Sequence, residues 1–190
     1  MKLIVGMSGA SGVIYGVRFL EALNRKNIET HLVFTPLVEK ILEQETDFKK
    51  QRLIELATFH YKIDDLAASI SSGSFLTQGM VIIPCSMKTL AGIACGYSDN
   101  LLLRAADVTL KEKRTLIVVP RETPLRKAHL ENMLRLANEG ATILPAMPGF
   151  YYKPKTLDDV TNHIVGKVLD ILRIDNNLYK RWCKEKKIKD

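Results

Sequence analysis

The chain has 190 residues, 46% of them hydrophobic, and carries 28 Lys and Arg against 21 Asp and Glu for a net charge of +7. That composition excludes general disorder and fits one domain with a real core. It excludes a membrane-spanning class, since no stretch approaches the ~18 apolar residues of a span, and the opening apolar run is too short for a signal peptide.

The first run, Leu3-Ile4-Val5, is short, β-branched and stopped by Gly6, which predicts a buried strand. From Val13 to Leu23 the apolar residues Val13, Val17 and Leu20 fall at helical spacing. Between them lies Gly6-Met7-Ser8-Gly9-Ala10-Ser11-Gly12. A strand, a glycine-serine turn and a helix N-terminus together can hold an anion. The glycine spacing is neither G-x-G-x-x-G nor a P-loop, so a tight, hydroxyl-capped turn is the alternative.

Thr30–Phe34 predicts a second strand, followed by Thr35-Pro36 and the helical stretch "TPLVEKILEQET". The piece from Lys49 to Phe75 exceeds a simple crossover and is expected to contain extra helix. Met80–Ile83 predicts a third strand, ending in Pro84-Cys85-Ser86-Met87-Lys88-Thr89 and passing into the helical "KTLAGIACGY". The stretch "ACGYSDNLLLRAAD" sets apolar residues beside a loop-rich segment, as expected of a surface covered by a second copy. Thr115–Val119 runs into Pro120-Arg121-Glu122-Thr123-Pro124, then into the helical "HLENMLRLANEG". Ala141–Leu144 runs into "PAMPGFYY" and the long helical "LDDVTNHIVGKVLDILRI", whose apolar stripe reads as Val160, Ile164, Val168 and Ile171 with Lys167 beside it.

Strands alternating with helices predict an α/β fold: a single-domain, doubly wound parallel sheet of Rossmann or flavodoxin-like type, with helices on both faces. The expected division is a domain over 1–174 and a basic tail over 175–190, which contains "YKRWCKEKKIKD". Cys85, Cys95 and Cys183 form no C-x-x-C and cannot all pair, which points to a reducing, cytoplasmic setting. His31, His60, His129 and His163 lack metal-ligand spacing, so no metal is expected. The basic tail has no nucleic-acid motif beside it, so neither nucleic acid nor membrane is expected as a partner.

In a parallel sheet the strand ends share one edge, where ligands bind. Four of the five runs end at or just before proline, which stiffens the loops there. Lys88, Arg121 and Glu122 fall on that rim. Ser86, Lys88 and Thr89 can offer hydroxyls, a cation and free N–H groups to a phosphate, or simply cap a helix. Arg121 can clamp a planar or phosphorylated group and Glu122 can move a proton, with a rim ion pair as the alternative. The expected ligand is flat and phosphorylated.

The stretches "GMSGASGVIYGVRFLEAL", "AASISSGSF", "GMVIIPCSMKTLAGIACGY", "LLLRAADVTLKEKR", "VVPRETPLRKAHLENML", "FYYKPKTLDDV" and the distal "RW" resemble, in order and over essentially the whole chain, the UbiX-type flavin prenyltransferases. The resemblance implies an enzyme that, without a metal, joins a dimethylallyl group from dimethylallyl phosphate to N5 and C6 of reduced FMN. The prenylated FMN would serve a UbiD-type decarboxylase. It implies FMN contacts from Gly9, Ala10, Ser11, Thr35, Ser86, Met87, Lys88, Thr89 and Arg121. Ser11, Glu45, Arg104, Lys111 and Glu122 take catalytic roles, the carboxylates in proton handling and the cations around the substrate phosphate. Phe75, Tyr151, Lys167 and Trp182 take the dimethylallyl phosphate, with Lys167 standing where many relatives have arginine. A homo-oligomer, the dodecamer typical of the family, is implied, with sites completed between subunits. The alternatives are a flavin-dependent cysteine decarboxylase, a non-catalytic subunit of an aromatic acid decarboxylase, and a basic RNA-associated protein. Against the first, the chain has "PCSMKT" at the strand end and lacks a "PxMNxxMW" stretch.

Overall fold

The computed structural model describes residues 1–182. Cys183 and the rest of the expected tail from 183 to 190 lie outside the described residues. The chain falls into two compact units, Met1–Ala146 and Met147–Asp190.

The first unit is a six-stranded sheet of β1 (Lys2–Met7), β2 (Glu29–Phe34), β3 (Phe59–Tyr61), β4 (Gly79–Cys85), β5 (Thr115–Pro120) and β6 (Thr142–Ile143). Its order is β3-β2-β1-β4-β5-β6 and every pairing is parallel. A parallel sheet covered on both faces needs continuously apolar strands, and all seven residues of β4 are buried. The crossovers carry α1 (Val13–Arg25), α2 (Leu37–Glu45), α3 (Lys50–Leu56), α4 (Met87–Ala94), α5 (Leu101–Lys111) and α6 (Lys127–Asn138). The strand order reverses between β1 and β4, so the crevice outside their carboxyl ends is the expected ligand site.

All five predicted strands are present, and three features depart from the reading. The Lys49–Phe75 piece does contain α3 and a 3-10 turn at Ser69–Ser71, but also β3. That strand has three residues and pairs only with β2 at the sheet edge, too short for period or apolar content to mark it. Pro84 lies inside β4 rather than ending it, at a register shift between Ile82 and Cys85 that absorbs the missing donor. The stretch read as a partner-covered surface is α5, opened by Asn100, whose side-chain oxygen accepts from Leu103 N at 3.1 Å. Leu101, Leu102, Ala105 and Ala106 are fully buried in the chain's own core. They give no reason to expect a second copy.

The second unit holds α7 (Leu157–Ile171), whose N-cap Thr156 accepts from Asp159 N at 3.1 Å. Its buried face is Thr161, Ile164, Val165, Val168 and Leu169. The expected stripe of Val160, Ile164, Val168 and Ile171 holds at Ile164 and Val168 and fails at its ends, where Val160 is half-buried and Ile171 is exposed. Lys167 is exposed, one turn after the buried His163.

Candidate active site at the carboxyl edge of the sheet

Ser8 ends β1 fully buried and ties two crossovers together. Its amide donates to the Pro84 carbonyl at 3.0 Å, and its Oγ accepts from the Ser86 amide at 2.8 Å. Ser86 in turn caps α4, its Oγ accepting from Thr89 N at 3.3 Å. This leaves the amides of Met87 and Lys88 in the first turn of α4 without partners inside the helix, an arrangement that binds anions. Ser8 was not singled out in the sequence. The signal was a hydroxyl placed directly after a buried strand, where it must find a partner.

The N-terminus of α1, at the same edge, is closed. Gly12, at φ +92°, turns the chain into α1 in a conformation that favours glycine. Glu45, at the end of α2, places Oε2 2.8 Å from Gly12 N and 3.2 Å from Val13 N. Arg121 follows β5, its amide donating to the Cys85 carbonyl at 3.3 Å and its Nε to the Ser11 carbonyl at 3.0 Å. Burial raises the Tyr15 phenol, and the nearby Arg121 charge partly offsets this.

Together these loops wall a groove of about 710 Å³, within the range of small-molecule sites. Gly9, Thr35, Ser86, Lys88, Thr89, Tyr97 and Asn100 are among the residues that line it. Thr35 Oγ1 is buried without a hydrogen-bond partner. Buried polar atoms are ordinarily paired, so an orphaned hydroxyl at a groove wall calls for a partner from outside the chain or a role in the fold. The Cys85 thiol, buried beneath, is pushed up to about 12 and is no nucleophile. Glu122 is exposed and accepts only from the Thr123 amide, at 3.1 Å.

Three predicted residues are elsewhere in the same unit. Arg104 donates from Nε to the Ser71 carbonyl at 3.2 Å and pairs with Asp107 at 2.9 Å. Lys111 pairs with Glu112 at the end of α5. Phe75 meets His31 edge-on at 4.9 Å and lies under Lys2 Nζ at 4.9 Å. Lys2 opens β1 and so stands at the amino edge of the sheet, away from the groove.

In the second unit, Tyr151 meets Trp182 edge-on at 5.3 Å and His163 at 6.0 Å. Burial, then the charge of Lys167 one turn on, lowers the His163 pKa. Among the described residues, no group of three or more His, Cys, Asp or Glu could hold a metal ion. No helix among them is long and apolar enough to cross a membrane.

The switch-point groove, with its hydroxyl-lined wall and open helix N-terminus, fits a flavin mononucleotide, and the sequence model of the Flavoprotein family matches residues 1–173. The flavin prenyltransferase UbiX of Methanothermobacter thermautotrophicus is 52% identical over 180 residues, 95% of this chain and 94% of its own. A dodecameric FMN-dependent UbiX-like decarboxylase from Escherichia coli O157:H7 superposes with a TM-score of 0.95 at 51% identity, covering 97% of this chain and 100% of its own. AnUbiX (PadA1), solved with FMN and dimethylallyl pyrophosphate, has a TM-score of 0.95 at 44% identity, over 96% of this chain and 97% of its own. The chain belongs to the UbiX family of flavin prenyltransferases. The peptidyl-cysteine decarboxylase EpiD, at 18% identity and a TM-score of 0.65, shares the fold alone.

Proposed function

We infer that this chain is a flavin prenyltransferase, joining a dimethylallyl group from dimethylallyl phosphate to N5 and C6 of reduced FMN. The observation that carries this is the groove with its unpartnered Thr35 hydroxyl, in a chain 52% identical over 180 residues to a flavin prenyltransferase. FMN supplies the nucleophilic ring when bound, and the chain's residues hold and orient it. Thr35, Ser86 and the α4 amides take the flavin and its phosphate, while Gly9, Ala10 and Ser11 form the turn against it. The Arg121 side chain braces that turn through the Ser11 carbonyl.

Breaking the allylic C–O bond puts negative charge on phosphate and spreads positive charge over the prenyl group. Preorganised cations stabilise the first and aromatic faces the second. The family resemblance assigns Arg104, Lys111, Arg121, Tyr151 and Lys167 to the phosphate, Phe75 and Trp182 to the prenyl group, and Glu45 and Glu122 to proton handling. Phe75 and Lys111 lie away from the groove in one chain. This favours a homo-oligomer in which a second copy supplies them, and a dodecamer is the expected form.

The product passes to a UbiD-type decarboxylase, and the reaction belongs in the cytoplasm. Anaerobic incubation with reduced FMN and dimethylallyl phosphate, read by mass spectrometry of the released flavin, tests the activity. A prenylated flavin is expected. Unmodified FMN recovered from a protein that binds it would overturn the reading and favour a non-catalytic subunit. Light scattering that shows an active monomer would overturn the assembly.

A further inference from the structure

We propose that Asp170 is a positioning residue, which fastens segment 176–181 to the last turn of α7 and thereby fixes the Trp182 indole against Tyr151. The inference rests on the reading above, in which Tyr151 donates to the substrate phosphate.

The Asp170 carboxylate has every acceptor position filled from one short segment. Oδ1 accepts from Asn176 Nδ2 at 2.9 Å and from Arg181 Nη2 at 2.7 Å. Oδ2 accepts from Arg181 Nη1 at 2.9 Å and from the Tyr179 hydroxyl. The paired Arg181 bonds form a planar fork, which fixes direction as well as distance. A carboxylate with about four lone-pair sites thus has none left for substrate, so it acts only through the residues it holds. Residues 172–182 include no helix or strand to set their path. The residue after Arg181 is Trp182, whose ring plane stands 88° to that of Tyr151.

Gly166 supports the same contact independently. It lies one turn before Asp170 and beneath the Tyr179 ring, where an added Cβ would come 2.8 Å from Tyr179 Cε1. Its carbonyl accepts from Asn176 Nδ2 at 3.4 Å. Glycine inside a helix costs about 1 kcal/mol against alanine. The close approach of Tyr179 gives a reason for it here. Asp170 and Gly166 are one docking face, the first by charge and the second by absence of a side chain.

Trp182 is the single tryptophan of the chain, so its emission reports this contact directly. Time-resolved anisotropy on the full-length, FMN-loaded protein is expected to show an indole that turns with the whole molecule. In Asp170→Ala and in Gly166→Ala a fast local component should appear. KM for dimethylallyl phosphate should rise about fivefold or more, with kcat changed less and FMN affinity within about twofold. Because both substitutions release one contact, the double variant should be no worse than the worse single one. Gly166→Ala favours the helix itself but crowds the Tyr179 ring, so a urea midpoint close to the wild type's is the control that separates release of the segment from unfolding. Unchanged anisotropy in both variants would overturn the fastening. A mobile indole with unchanged KM would overturn its part in the reaction. A wild-type protein with a fixed indole that prenylates nothing would overturn the functional reading while leaving the fastening supported.

Discussion

Glu45 and Gly12 are joined by a 2.8 Å hydrogen bond that closes the N-terminus of α1 with a carboxylate from the end of α2. The anion site legible in the glycine-serine turn is therefore occupied by the chain itself, whereas the first amides of α4 stay open. A carboxylate at a helix N-terminus satisfies orphan donors and complements the dipole. Glu45→Ala should lower stability by about 1 kcal/mol in urea unfolding, the usual loss of a cap. Glu45→Gln keeps an acceptor and should lose about half of that or less. If Glu45 also moves a proton, Glu45→Gln will depress prenylation far more than it depresses stability. Equal urea midpoints for Glu45→Ala and the wild type would remove the cap from the account.

Thr35 makes the opposite kind of prediction, because its buried hydroxyl has no partner in the protein alone. Thr35→Val removes an unpaired polar atom while keeping the shape, so the FMN-free protein should be as stable as the wild type or more so. FMN should bind more weakly by about 0.5–1.5 kcal/mol, the net value of one hydrogen bond. Calorimetry with and without FMN separates the two effects. A loss of stability without FMN, at unchanged affinity, would show that the hydroxyl serves the fold.

Ser8 is the residue through which the loop after β1 holds the loop after β4. Its Oγ is the acceptor for the Ser86 amide at 2.8 Å. Ser8→Ala leaves that amide unpaired at a part-buried position, which should cost about 1–3 kcal/mol. Because Ser86 caps α4, FMN affinity should fall as well. Thermal unfolding of the FMN-free protein gives the first effect. If it is unchanged, water takes the place of the serine.

The sheet was legible because its strands are buried on both faces and read as continuous apolar runs between helical stretches. β3 was not, since three edge residues contain no period. In α5, a loop-like "GYSDN" precedes buried leucines, and only the Asn100 cap separates a helix start from a loop. The α7 stripe was right at Ile164 and Val168 and wrong at its ends, because several apolar rows on that helix compete and only packing selects among them. Thr35 and Ser86 follow strand ends, where topology directs attention, and both line the groove. Glu45 and Asp170 owe their roles to partners distant in sequence or outside regular structure, which no spacing rule reveals.

The Asp170 contact sets a pH range for the Trp182 signal. Burial alone would raise the Asp170 carboxyl, but bonds from Arg181, Tyr179 and Asn176 outweigh it and hold it at about 2. Burial and the bond to Asp170 push the Tyr179 phenol up to about 12. A lowered carboxyl stabilises the fold above its ordinary value and loses this as pH falls through its folded one. A raised phenol stabilises below its ordinary value and loses this as pH rises through its folded one. His163, lowered first by burial and then by Lys167, stays neutral at neutral pH. Trp182 anisotropy should therefore be flat from about pH 5 to about pH 9, with a fast component emerging below about pH 3. A transition near pH 6 would mean that a histidine, not Asp170, controls the segment.

Lys167 is exposed on α7, and that exposure bears on what it can do. Its charge reaches His163 one turn away, on the residue whose ring packs beside Tyr151. The lysine therefore lies on the Tyr151 side of the helix, and we expect the two to hold the phosphate of dimethylallyl phosphate together. An ammonium binds phosphate as a point charge and lacks the planar fork of arginine. Lys167→Ala should lower kcat/KM for dimethylallyl phosphate by about 1.5–3 kcal/mol, the value of a lost hydrogen bond to a charged group. FMN affinity should hardly change, because the α4 N-terminus takes its phosphate. Lys167→Arg should retain the activity or raise it, since the fork adds a second bond in the same place. Steady-state kinetics at fixed reduced FMN measure all three. Intact kinetics in Lys167→Ala would leave the phosphate to Arg104, Lys111 and Arg121 and make Lys167 a solvated surface residue.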